Sequence, residues 1–227
     1  MSPTLSAPPV RAVLFDFDGV VADTETIHFQ TFAATLAEVG IIVTPEEHAA
    51  DYMGIDDAGC FRVAHEKKGR PNPSEETIDQ LLRRKSELYD ASLHEIGIFA
   101  GFREVLEAAQ SRGPFTIASC GRRRDIEAVL GQHELLDRFP AFISADEIER
   151  PKPDPDCFLR AYRLLRDRDA PDLKPEDCLV FEDSVRGVQA AKTAGMRCVA
   201  LTHSFPAEKL QHADLVLTSW TDWEWPA

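Results

Sequence analysis

Short apolar runs with little polar alternation recur along the chain. They stand at 10–17 (VRAVLFDF), 115–119 (FTIAS), 141–144 (AFIS), 178–183 (CLVFED), 197–201 (RCVAL) and 213–218 (ADLVLT). Runs of this kind predict strands buried on both faces, as in a parallel sheet covered by helices. Segments of helical period lie between the later runs, at 101–112, 122–131, 155–167 and 185–194. Asp154 before Pro155 reads as an N-cap and first helical position, and Gly195 stands where a helix C-cap belongs. Strand–helix alternation of this kind predicts an α/β fold with a doubly wound parallel sheet.

One interval breaks the rhythm. From Thr24 to Ile98 the pattern is helical throughout, with one stripe through Ile27, Phe32, Leu36 and Val39 and another through Ile78, Leu81, Leu82, Leu88 and Leu93. A turn is expected at 67–75 (KKGRPNPSE). The block reads as a small helical cap, 24–98, inserted into an α/β core built from 10–23 and 99–227, with candidate hinges at its two joints. Residues 1–9 are expected to form a disordered tail.

Charge and cysteine content narrow the classes. The 227 residues carry a formal net charge of −14, which argues against nucleic-acid binding, since that relies on clustered Lys and Arg. No stretch has the length and apolarity of a signal peptide or a membrane span. The five cysteines, at 60, 120, 157, 178 and 198, are odd in number and lack CxxC spacing, as expected of reduced thiols in a cytoplasm. Most should be small buried hydrophobes, with Cys120 set apart by its neighbours.

The candidate chemistry sits where strands end, because ligands of open α/β sheets bind outside the carboxyl ends of their strands. Asp16 and Asp18, two residues apart at the end of the first run, point to one side and repel unless a cation meets them. A hard divalent ion such as Mg²⁺ is the natural partner, although an Asp-Gly turn at Asp18 is the bland alternative. The run at 178–183 repeats the pattern with Glu182 and Asp183, where helix capping by the acids competes. Lys152 lies in RPKPDPD, whose prolines stiffen the loop and suit a fixed cation facing an anion. Ser119 closes the second run ahead of a helix start, with Cys120 next; a hydroxyl and free N–H groups there can receive an anion, although an ordinary N-cap serine is the bland alternative. Arg122, Arg123 and Arg124 form a solvated face or reach a second anionic group.

In order along the chain, DFDGV at 16–20, Ser119 after TIA, Lys152 in KPDPD and the acids of FEDSVRG resemble the four signatures of the haloacid dehalogenase (HAD) superfamily. The helical block resembles the cap of the branch holding phosphoglycolate phosphatase-like enzymes and β-phosphoglucomutase. The resemblance implies a Rossmann-like core, with Asp16 as a nucleophile that forms an aspartyl-phosphate and Asp18 as general acid and then base. It further implies Mg²⁺ held by Asp16, the Asp18 carbonyl, Asp183 and Glu182, the last directly or through water. Ser119, Cys120 and Lys152 would bind the phosphoryl group. His28, Met53, Gly54 and Arg122 are the candidates for substrate specificity. Asp18 argues against dehalogenases and phosphonate-cleaving relatives, which lack that acid.

A mutase cap reads KGxSR where this chain has YMGIDD at 52–57, so Met53 and Asp57 replace basic residues. The expected activity is therefore a Mg²⁺-dependent phosphatase of a small phosphorylated metabolite, in a cytoplasmic monomer or small homo-oligomer with no nucleic-acid or membrane partner. A β-phosphoglucomutase-like phosphohexomutase is the alternative within the family. Outside enzymes, a non-catalytic phospho-accepting or sugar-phosphate-binding module remains.

Overall fold

The computed structural model describes residues 9–52 and 56–225. Most of the expected tail lies outside the described residues, and so do Met53 and Gly54. The element order is β1 (Ala12–Phe15), α1 (Glu25–Glu38), α2 (Pro45–Asp51), α3 (Asp57–Lys67), α4 (Glu75–Ser92), α5 (Phe102–Gln110) and β2 (Phe115–Ile117). It continues through α6 (Arg123–Gln132), α7 (Asp156–Arg168), β3 (Cys178–Glu182), α8 (Val185–Thr193), β4 (Arg197–Leu201) and β5 (Leu215–Leu217). Contacts divide the chain into two compact units, one running to Asp23 and resuming at Gly97, the other being Thr24–Ile96.

In the first unit all five strands are parallel, in the order β2-β1-β3-β4-β5. The chain moves from β1 to β2 on one side and returns to β3 on the other. The carboxyl ends of β1 and β3 therefore flank a topological switch point, the place where such sheets open a crevice. Both sheet faces are covered, which is why the strands lack polar alternation. Ala12, Leu14, Val180, Cys198 and Ala200 point into a core with Phe158, Ala161 and Leu165 of α7 and Val188 and Ala191 of α8.

The opposite face is aromatic. Phe15 stacks on Phe181 at 5.5 Å and meets Phe102 edge-on at 5.4 Å. Trp220 lies 4.7 Å from Phe181 and donates its indole N–H to the Val20 carbonyl at 2.9 Å. The C-terminal segment is thereby tied to the loop that follows β1. Among the described residues no helix is long and apolar enough to cross a membrane.

Two expectations are corrected here. The run at 141–144 is not a strand: Ile143 makes one bridge to Ala118 at the sheet edge. Ser144 then bends the chain into a short helical turn, because its N–H and hydroxyl both reach the Glu147 carboxylate, at 2.8 and 2.6 Å. Helix α7 starts one residue late, at Asp156, with Pro155 at the N-cap position and Asp154 accepting from the Asp156 N–H at 3.0 Å. Gly195, in contrast, has the positive φ of +77° expected just past a helix end.

Among its described residues the second unit has helices and no strand. Phe32, Leu36, Tyr52, Phe61, Ala64, Ile78 and Leu81 form its core. Helices α2, α3 and α4 start on side-chain caps: Thr44 with Glu47, Asp56 accepting from Gly59, and Ser74 accepting from Thr77. The stripe of α4 is rotated from the expected one. Ile78, Leu81, Lys85 and Tyr89 are its buried residues, and Leu82 and Leu88 are half-buried.

Candidate active site

The pairing of β1 with β3 sets Phe15 beside Phe181, and the Asp16 N–H donates to the Phe181 carbonyl at 2.9 Å. The next residues of both strands, Asp16 and Glu182, thus emerge together at the carboxyl edge. Asp16, Glu182 and Asp183 are all buried and each offers one carboxylate oxygen within 4.8 Å of the others. Lys152 reaches in from the proline-rich loop. Its Nζ lies 2.8 Å from Asp16 Oδ1 and 2.8 Å from Glu182 Oε1, and it sits over the Phe158 ring at 4.7 Å.

Burial alone would push the Lys152 ammonium down, but the Asp16 and Glu182 carboxylates more than reverse this and hold it charged. Burial likewise pushes the Glu182 carboxyl up. Lys152 and the N–H groups of Ser184 and Asp183 outweigh it, so Glu182 stays below the usual range. Asp16 receives less help: burial, with Glu182, Asp18 and Asp183 nearby, drives its carboxyl well up despite Lys152.

Three buried carboxylates therefore gather where one ammonium meets two of them, Asp16 and Glu182. Asp16 Oδ1 has the charge contact with Lys152 but no hydrogen bond. A buried oxygen left in that state, in an all-oxygen donor set, fits a hard divalent cation. Glu182 Oε2 already accepts from Asp183 N, Ser184 N and Ser184 Oγ at 2.7, 2.7 and 3.0 Å. Its fit is tight, since a Cβ added at Gly187 would stand 1.6 Å from Glu182 Oε1.

The loop after β1 is built to bring these groups together. Phe17 O accepts from Val21 N and Ala22 N, and Gly19 N donates to Ala22 O. Gly19 has φ +70°, and a Cβ there would lie 1.7 Å from Asp183 Oδ2. No other residue satisfies both the backbone angle and the close approach.

Ser119 is fully buried, accepts from the Gly121 N–H at 2.8 Å, and lies 3.4 Å from Asp18 Oδ2. It is not a helix cap, because α6 begins only after Arg122. Cys120 is half-buried beside it. Arg122 pairs with Asp125 at 2.6 Å. Arg123 supports the turn at 142–147 through the Phe142 carbonyl and Glu147, both at 2.9 Å.

His28 belongs to the helical unit, where it stacks on Tyr89 at 4.6 Å and its Nδ1 lies 3.5 Å from Lys85 Nζ. Lys85, 5% exposed, pairs there with Asp57. The loss of basic residues at 53 and 57 is thus not a loss of all buried cations from that unit.

Sequence reading missed Lys85, whose signal is a lysine on an apolar helical stripe. It also missed Ser204 and His203, just beyond β4. Ser204 donates to Asp183, and His203 stacks on Phe99 at 3.9 Å with its Nδ1 2.8 Å from the Gly19 carbonyl. Polar residues at the carboxyl end of a third strand were the available hint.

A family model for haloacid dehalogenase-like hydrolases matches residues 13–201. The chain belongs to this family. Among similar HAD proteins is the protein CbbY of Rhodobacter capsulatus, 30% identical over 93% of this chain and 92% of that one. Another is the phosphorylated carbohydrates phosphatase of Thermotoga maritima, 29% identical over 86% of this chain and 87% of that protein. The crystal structure of CbbY from Rhodobacter sphaeroides in complex with phosphate superposes with a TM-score of 0.74 at 26% identity, covering 93% of this chain and 95% of that one. The chain is thus an enzyme of the HAD phosphatase type with a parallel α/β core.

Proposed function

We propose that the chain is a Mg²⁺-dependent phosphatase that hydrolyses a small phosphorylated metabolite, a sugar phosphate or similar monoester, through a phosphoryl group carried on Asp16. The observation that supports it most is the position of Lys152, locked between Asp16 and the fully buried Glu182. An ammonium fixed beside a carboxylate suits a reaction in which negative charge spreads over phosphoryl oxygens in the transition state.

Asp16, the Asp18 carbonyl and Asp183 would hold Mg²⁺, with Glu182 assisting. The metal supplies charge neutralisation that lets an anionic nucleophile approach a phosphate. Asp16 attacks phosphorus and keeps the phosphoryl group as an acyl phosphate. Lys152 and Ser119 orient the equatorial oxygens, with Cys120 at the edge of the same loop. Asp18, 3.4 Å from the Ser119 hydroxyl, gives its proton to the leaving oxygen and then takes one from the attacking water. Glu182 keeps Lys152 in place and Ser204 steadies Asp183.

The reading also draws on relatives, because one similar protein is named for phosphorylated carbohydrates. A variant of the Rhodobacter sphaeroides CbbY was crystallised with xylulose 1,5-bisphosphate.

The test is a panel of phosphorylated metabolites incubated with purified protein and Mg²⁺, scored for both inorganic phosphate and isomeric products. The expected result is phosphate release from a subset of monoesters, abolished by a chelator and restored by added Mg²⁺. Isomer formation without net phosphate release would move the assignment to a phosphomutase. Turnover of nothing in the panel or of a generic aryl phosphate would favour a binding module.

A further inference from the structure

The two segments that carry Ser119 and Lys152 also carry a pair of thiols. Cys120 follows Ser119, and Cys157 lies in the first turn of α7, just beyond the Lys152 loop. The two thiols perturb one another's proton affinity, Cys120 downward and Cys157 upward. Cys157 is fully buried, and its Sγ is also 3.6 Å from the Ser119 carbonyl. Cys120 is half-buried.

We propose that Cys120 and Cys157 are an oxidation site for hydroperoxides: oxidation of Cys120 followed by disulfide closure with Cys157 reversibly shuts the phosphoryl site.

The pair divides the two roles such a site needs. The Cys157 thiol and the Lys152 ammonium outweigh burial and bring the Cys120 thiol down to about 6. Cys157, beside Cys120 and buried, is pushed well up. A partly exposed thiolate beside a second thiol is the arrangement that peroxides oxidise selectively. The other cysteines contrast with it. Burial pushes Cys60 and Cys178 up to about 12 and raises Cys198 as well.

The steps balance. The Cys120 thiolate attacks one peroxide oxygen, the O–O bond breaks, and the departing hydroxide takes a proton to leave as water. Cys157 sulfur then attacks the Cys120 sulfenic acid, gives up its proton, and expels a second water. The two thiols lose two electrons, which the peroxide gains. A covalent link is shorter than a contact between two thiols, so closure draws the 119–121 loop onto α7. It also removes the S–H that faces the Ser119 carbonyl. Both phosphoryl-binding segments shift, and a small displacement at a reacting centre has a large cost in rate.

The inference rests on the phosphatase reading for its consequence, not for the bond. Reduced protein is treated with hydrogen peroxide, mapped by non-reducing peptide mass spectrometry, and assayed for phosphate release from an aryl phosphate with Mg²⁺. The expected result is a peptide linking residues 120 and 157, with activity falling by about tenfold or more and returning on addition of dithiothreitol. Cys157→Ser, which keeps a hydrogen-bond donor facing Cys120 and the Ser119 carbonyl, should keep the basal activity and form no link. Under peroxide it should pass to the Cys120 sulfinic acid, which dithiothreitol does not reverse.

Five thiols left intact after peroxide would overturn the proposal, as would a link between other cysteines or a 120–157 link with unchanged activity. A 120–157 link in protein that turns over no phosphate ester would overturn the phosphatase reading and leave the dithiol standing.

Discussion

Asp16→Asn loses turnover by a factor of about 10³ or more while its Tm stays within about 3 °C of the parent or rises. The two halves of this expectation come from different features of the site. The amide keeps the size of the carboxylate but is a far weaker nucleophile toward phosphorus. The folded protein, meanwhile, bears a cost for an ionised Asp16, whose carboxyl is driven well up by burial and by neighbouring acids. Asparagine removes that charge, and Lys152 keeps its contact with Glu182 at 2.8 Å. Steady-state phosphate release and a calorimetric melt check both halves. Activity within tenfold of the parent would show that Asp16 does not carry the phosphoryl group.

Lys152→Met has the opposite signature, losing stability and activity together. Removing the ammonium leaves Asp16 and Glu182 buried without their cation, and breaking a buried pair in this way costs about 3–5 kcal/mol. For a chain of this size that lowers Tm by on the order of 10 °C. Mg²⁺ should recover part of the stability but little of the activity, because the phosphoryl oxygens still lack their positioned donor. Thermal melts with and without Mg²⁺, set beside the assay, read these effects apart. A variant that melts with the parent would mean that Lys152 is only a solvated loop charge.

The contrast between these two residues also shows how sequence became legible. Paired acids at two strand ends repel unless a cation meets them, a lysine between prolines suits a fixed charge, and the resemblance to the HAD signatures chose these readings over turn and capping ones. Asp16, Asp183, Glu182 and Lys152 could therefore be named before their distances were seen. The buried strands were readable because a parallel sheet covered on both faces leaves uninterrupted apolar runs. The run at 141–144 has that composition too, but local bonds from Ser144 to Glu147 take the chain out of extension after one bridging residue.

Other features depend on side-chain geometry that periodicity does not encode. The face of α4 includes Lys85, buried against Asp57 and His28, so apolar counting alone found Ile78 and Leu81 but not the rest of the buried face. Ser204 supports Asp183 from a loop without a motif of its own. Trp220 and Trp223 lie beyond the last expected strand, yet they close the aromatic face over Phe181, at 4.7 and 5.2 Å. Cys157 looked like any core cysteine until the fold set it against Cys120.

The claim that phosphoryl transfer passes through the enzyme itself is tested by stereochemistry. A turned-over phosphate monoester, made chiral at phosphorus with oxygen isotopes, yields labelled phosphate whose configuration can be read. Transfer to Asp16 and then to water is two in-line displacements, so the account predicts overall retention. Inversion would mean that water attacks the substrate directly, and would contradict it.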